Sequence, residues 1–319
     1  MGPDLRLYIA GHRGLVGQAL LRHARALGAS NLILRTHSEA DLTSTEHVQR
    51  LFREERPDVV IIAAAKVGGI AANMADPVSF LVDNLKMQNN VLEACQEFGV
   101  RKTVFLGSSC IYPRAAQQPI REDAFMHGPL EPTNESYAVA KIAGVRLAQA
   151  LHEQHGLDVI CPMPTNIYGL GDHYGLDRAH VLSALVHRFC VAADEGLNLV
   201  TLWGTGTARR EFLFADDLAD ATFFLLDHMT SPELINVGTG EDISIRELAE
   251  LIAEMVGYRG AIEWDHLRPD GMPRKLLDVS KIHALGWHHR TSLREGIAAV
   301  IEDFRTTMRQ RSASGVARP

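Results

Sequence analysis

Three glycines, Gly11, Gly14 and Gly17, stand between an apolar run, Leu5 to Ala10, and a stretch of helical spacing that continues to Leu27. This feature restricts the fold more than any other in the chain. A short strand that turns on glycine into a helix opens a βαβ unit. In that role Gly11 makes the tight turn, Gly14 admits a pyrophosphate and Gly17 lets helix and strand pack closely. The helix N-terminus adds N–H donors and a positive dipole for phosphates. A second strand, Asn31 to Leu34, leads to Leu34-Arg35-Thr36-His37. A bare ribose hydroxyl calls for an acidic residue there. Arg35 and His37, with Arg13 in the glycine loop, suit a 2′-phosphate, so the cofactor expected is NADP(H).

The alternation continues along the chain. Thr45 to Glu55 reads as helix and Asp58 to Ala63 as a near-continuous apolar strand, the kind buried on both faces of a parallel sheet. A loop containing Val67-Gly68-Gly69-Ile70 precedes a helix from about Pro77 to Phe98, and Lys102 to Gly107 reads as the fourth strand. A helix from Asn134 to His155 and a strand from Asp158 to Met163 follow. This pattern predicts an α/β fold, a doubly wound parallel Rossmann sheet with a smaller interleaved α/β substrate domain. Residues 1–166 and 211–240 are assigned to the NADP-binding domain, and 167–210 and 241–308 to the substrate domain. The Arg-, Ser- and Gly-rich residues 309–319 are expected to be a disordered tail.

The fourth strand delivers Ser108 and Cys110 at its C-terminal end. Tyr137 and Lys141, four apart, share one face of the following helix. A phenol that titrates near ~10 in water becomes more acidic beside a fixed cation. It can then protonate a carbonyl oxygen as hydride reaches the carbon, while the Ser108 hydroxyl holds that oxygen. Y-x-x-x-K alone is a weak pattern; the glycine turn and the strand-end serine give it meaning.

The formal charge of −7 supplies no electrostatic reason for nucleic acid or an anionic membrane as partner, so an anionic ligand needs local basic groups. No apolar run approaches ~20 residues. The chain's start lacks the basic and apolar regions of a signal peptide. Four cysteines, Cys95, Cys110, Cys161 and Cys190, show no metal-ligand or disulfide spacing. No metal is expected, and a reducing cytoplasm is the expected location.

Taken together, the glycine turn, the strand-end serine and Y-x-x-x-K resemble the extended short-chain dehydrogenase/reductases. AGHRGLVG, AAAKVGGIAAN, LGSSCIYP, EPTNESYAVAKIAG, MPTNIYG, RREFLFADDLA, INVGTG and PDGMPRKLLDV narrow the resemblance to the GDP-L-fucose synthase family, over nearly the whole chain to about Phe304. The resemblance implies an NADPH-dependent 3,5-epimerase/4-reductase of a GDP-4-keto-6-deoxy sugar. It gives Cys110 and His180 the acid–base work at C3 and C5. Tyr137 becomes the proton donor at C4, with Ser108 orienting the oxygen and Lys141 holding the nicotinamide ribose. It places His12, Leu15, Val16, Leu106, Gly107, Pro164, Thr165, Asn166, Ile167 and His180 beside the cofactor, and Arg188, Trp203, Arg210 and Asp270 beside the GDP-sugar. It also implies a homodimer through the helices Pro77 to Phe98 and Asn134 to His155. Two departures stand out. His37 replaces the family's usual arginine, which softens the preference for NADP over NAD. Asp177-Arg178-Ala179 replaces a typical Asn-Ser segment before His180, which leaves open a 4-ketoreductase, with or without epimerase activity, of another GDP-4-keto hexose.

Overall fold

The computed structural model describes residues 5–175, 180–268 and 271–313. Leu7–Ala10 (β1) is buried throughout, as an apolar run must be when both faces of its sheet are covered. It turns into Leu15–Ala26 (α1). Leu32–Ile33 (β2) and Val59–Ile62 (β3) flank β1, joined by Thr45–Glu55 (α2), whose first turn is capped by the Ser44 side chain accepting from His47 N–H. Ile70–Ala75 (α3) precedes Pro77–Glu97 (α4), which starts where Asp76 caps and proline sits in the first turn. Lys102–Phe105 (β4), Glu135–His155 (α5) and Val159–Pro164 (β5) complete the next unit.

Asn166–Tyr168 (β6), Val181–Asp194 (α6), Leu199–Trp203 (β7), Arg209–Phe214 (β8) and Ala215–His228 (α7) lead to Leu234–Val237 (β9), which returns beside β5. The six-stranded sheet has the order β2-β1-β3-β4-β5-β9, every neighbouring pair parallel. The doubly wound parallel sheet expected from the sequence is therefore present. Strand order reverses at β1, and ligands of such sheets bind outside the carboxyl ends of the strands at that point. The glycine turn, Ser108 to Cys110 and the end of β5 all emerge on that edge.

Asp242–Ser244 (β10), Ile245–Val256 (α8), Ala261–Asp265 (β11), Arg274–Lys275 (β12), Ser280–Ala284 (α9) and Leu293–Ala313 (α10) follow. Strand β8 pairs with β10, β12 and β6, and β11 pairs with β7. Apolar side chains form two cores. Leu213 belongs to the first, under the parallel sheet; Phe212 and Phe214 belong to the second, with α6, α8 and α10. The period-2 alternation of β8 thus places that strand between the two cores. Two expectations need correction. Met272, Leu277, Val279, Ile282 and Trp287, assigned to the substrate segment, join the first core. Arg309 to Ala313, assigned to the tail, continue α10 as helix; residues 314–319 lie outside the described residues.

Candidate active site

Backbone geometry explains the glycine turn. Gly11 has φ +84°, and a Cβ there would meet the Ala64 backbone at 2.7 Å. A Cβ on Gly17 would lie 2.0 Å from the Gly11 carbonyl oxygen. Both glycines are required by the chain itself. Gly14 differs: an added Cβ would find only the Gly11 oxygen, at 3.5 Å, so its open space faces outward from the N-cap of α1. Beside it the His12 Nδ1 is buried with no partner among the described residues, and burial, with Arg13 alongside, lowers that ring's pKa. An open cradle at a helix N-terminus with an orphaned polar atom fits a dinucleotide pyrophosphate. Leu15 and Val16 follow as the half-buried first residues of α1.

The cations expected around a 2′-phosphate are near carboxylates. Arg35 pairs with Glu55 and also donates to the Leu34 carbonyl. His37, 82 % exposed, lies 3.6 Å from Asp41. Arg13 is exposed in the turn. A phosphate there competes with Glu55 for the Arg35 guanidinium.

Ser108 sits where β4 ends in the short 3-10 turn Ser109–Ile111, and its hydroxyl accepts from Cys110 N–H at 3.2 Å. The same hydroxyl neighbours the Tyr137 phenol and draws its pKa down. Lys141, one turn along α5, is 4 % exposed and donates to the Leu106 carbonyl at 2.8 Å. Its ammonium lies 4.8 Å from the Phe105 ring centre and 5.9 Å from that of Tyr137. Gly107 is buried against Met163, which a Cβ would overlap.

The expected acidification of Tyr137 by Lys141 is not what the structure has. Burial pushes the phenol well above its ordinary range, negative charge on Cys110 adds to that, and the Ser108 hydroxyl only partly opposes it. The reason is geometric: the ammonium points at the Leu106 carbonyl instead of the phenol oxygen. Burial also lowers Lys141 to about 8, against the pull of Cys110. For Cys110, burial pushes the thiol up, but the Lys275 ammonium and hydrogen bonds from Ser108, Lys275 and Asn134 outweigh it and bring it below the usual thiol range. Lys275 Nζ lies 3.3 Å from the Cys110 sulfur, and Asn134 Nδ2 lies 3.2 Å from it. Asn134 Oδ1 is likewise buried with no partner among the described residues, a second orphan at this edge.

Pro164, Thr165, Asn166 and Ile167 run from β5 into β6. The Thr165 hydroxyl and Asn166 amide both donate to the Glu211 carbonyl, at 3.3 and 2.7 Å. His180 is the exposed N-cap of α6, its carbonyl accepting from Ala184 N–H; the structure does not bond its ring to Cys110. Arg188 donates to the Thr201 carbonyl at 3.3 Å. Trp203 is 55 % exposed, with the Arg268 guanidinium 4.9 Å from its ring centre. Arg210 donates to the Arg209 carbonyl and is in register with Lys275. Asp270 and Asp177-Arg178-Ala179 lie outside the described residues. Lys275 and Asn134 are the site residues not assigned from sequence. Both fall inside quoted motifs, but nothing in their spacing ties them to Cys110.

The profile of the "NAD dependent epimerase/dehydratase family" matches residues 7–238. A "Probable GDP-L-fucose synthase 1" from Oryza sativa subsp. japonica is 52 % identical over 92 % of this chain and 89 % of its own length. The "GDP-L-fucose synthase" of Escherichia coli (strain K12) is 46 % identical over 94 % of this chain and 96 % of its own. A crystal structure of a GDP-L-fucose synthetase from Naegleria fowleri bound to NADP superposes with a TM-score of 0.87 at 26 % identity, over 97 % of this chain and 96 % of that one.

Proposed function

The chain belongs to the NAD dependent epimerase/dehydratase family and, within it, to the GDP-L-fucose synthases, and from that premise we propose that it converts GDP-4-keto-6-deoxy-D-mannose to GDP-L-fucose, by 3,5-epimerisation and NADPH-dependent 4-reduction. One observation carries the reading. The Ser108 hydroxyl accepts from Cys110 N–H and neighbours the Tyr137 phenol, so acid–base and reductase groups gather around one oxygen.

The C4 ketone of the substrate acidifies the hydrogens on C3 and C5. Cys110, made more acidic by the neighbouring Lys275 ammonium, removes a proton from one face, and His180 returns one from the other. Each transfer inverts a centre through an enolate whose oxygen Ser108 holds. NADPH supplies the hydride that reaches C4. Tyr137, kept in its neutral phenol form by burial, donates the proton to the C4 oxygen. Lys141 carries the charge that offsets the tyrosinate left behind. The cofactor's phosphates take the Gly11–Gly17 cradle, and Arg35 and Arg13 take the 2′-phosphate. Arg188, Arg210, Trp203 and Asp270 are proposed for the GDP-sugar, the arginines for its negative charge and Trp203 for an apolar ring face.

The exposed Val78 and Val82 of α4 and Val139 of α5 support a homodimer through these two packed helices. Among the described residues no helix is long and apolar enough to cross a membrane. A reducing compartment, the cytoplasm, keeps Cys110 a working thiol.

Two variants test the division of labour. Tyr137→Phe should abolish NADPH oxidation and leave proton exchange at C3 and C5 largely intact. Cys110→Ser should lose exchange first. Substantial reduction by the first, or full exchange by the second, contradicts these roles.

A further inference from the structure

Glu211 is a fully buried carboxylate on β8. One oxygen accepts from the backbone N–H groups of Thr239 and Gly240, at 2.7 and 2.8 Å; the other accepts from Leu277 N–H at 3.0 Å. Its own main-chain carbonyl receives Thr165 and Asn166 from the end of β5. Room for the carboxylate depends on Gly238, where a Cβ would come within 2.1 Å of it. Leu277 lies two residues beyond Lys275, the last residue of β12, a strand of only two residues that pairs with β8 itself. Beyond the strand, Leu276 and Asp278 bond to Gln118 and Ile120, and Leu277 N–H returns to β8 through the Glu211 carboxylate. We propose that Glu211 is a positioning residue for the acid–base chemistry at Cys110: by clasping Leu277 N–H to β8 it holds the Lys275 ammonium against the Cys110 sulfur. The Thr165–Asn166 segment bonds the main-chain carbonyl of the same residue, so position 211 stands between both halves of the site, while only its side chain reaches Leu277. Nothing in Glu211 touches Cys110, and its influence runs through Lys275.

The assignment deepens the role given above to Cys110 and rests on it. Its test, however, reads the thiol directly. Iodoacetamide alkylation of Cys110 in the full-length protein, followed as the mass of its peptide against pH, reports the thiolate. Lys275→Met should raise the midpoint by about one pH unit or more. Glu211→Gln presents an amide donor toward Leu277 N–H and should raise it by a comparable amount. The double variant should show no further rise. Exchange of deuterium into C3 and C5 should fall in step, and Lys275→Arg should retain most of it. A wild-type midpoint in Glu211→Gln overturns the proposal, as does an unmoved midpoint in Lys275→Met or additive shifts in the double variant. Where Glu211→Gln does not fold, Glu211→Asp, one methylene too short to hold both loops, takes its place with the same expectation. Failure of both to fold overturns the proposal in favour of a purely structural carboxylate. Full exchange in Cys110→Ser would remove the catalytic reading of the thiol, and the alkylation profiles would still decide the role of Glu211.

Discussion

Tyr137, Lys141 and Cys110 share one buried corner, and burial drives each toward its neutral form. Only Cys110 ends displaced toward its charged form, because Lys275, Ser108 and Asn134 all face its sulfur. Lys141 binds its proton more weakly in the folded chain, at about 8, than a free lysine does at ~10.4. The unfolded chain therefore holds more protons between those values, and the penalty is complete below pH 8 and fades as pH rises toward ~10.4. Its size is roughly 3 kcal/mol. Lys141→Met should thus raise stability to urea at pH 7 by about 1–2 kcal/mol, after loss of its bond to the Leu106 carbonyl. The gain should shrink toward pH 10, and NADPH oxidation should disappear. A variant less stable than the parent at pH 7 contradicts the account. Tyr137 and Lys141 are legible in the sequence because residues four apart share a helix face. Lys275 is not, since 165 residues separate it from Cys110 and only the fold joins them.

Helix α8 shows how the elements around the site are fixed locally. Ser244 accepts from Glu247 N–H while the Glu247 side chain accepts from Ser244 N–H, a reciprocal cap. Arg209, at the start of β8, reaches the same Glu247 at 3.3 Å and Asp242 at 2.8 Å, so the cap also ties the helix to the strand carrying Glu211. Ser244→Ala should cost about 1 kcal/mol of stability, measured as a lower denaturation midpoint with unchanged slope. No loss would mean that Arg209 and Asp242 suffice. The longer elements follow from periodicity: α2 has the bounds, Thr45–Glu55, that apolar spacing indicates. Strands β6, β10 and β12 have only two or three residues, too few for a period, and exist because β8 offers them partners.

Across the whole molecule, the sequence separates a regular βα half from a looser remainder but does not show the chain's return from Met272 to Trp287 onto the first core. That return carries Lys275 to Cys110, and it depends on packing between distant segments. The glycine turn, the serine, tyrosine and lysine are local patterns; the thiol's setting is a product of the complete fold. Assembly is proposed at this scale too. Val82→Glu places a charge on the exposed face of α4 and should convert a dimer to a monomer in sedimentation; an unchanged mass would move the interface elsewhere. The central claim is that one site exchanges protons and then reduces. Incubation of the protein with GDP-4-keto-6-deoxy-D-mannose in deuterated water, read by NMR, tests it most directly. Deuterium should enter C3 and C5 without NADPH, and GDP-L-fucose should form when NADPH is added. Reduction with no deuterium at C3 or C5, or no reaction at all, would contradict it.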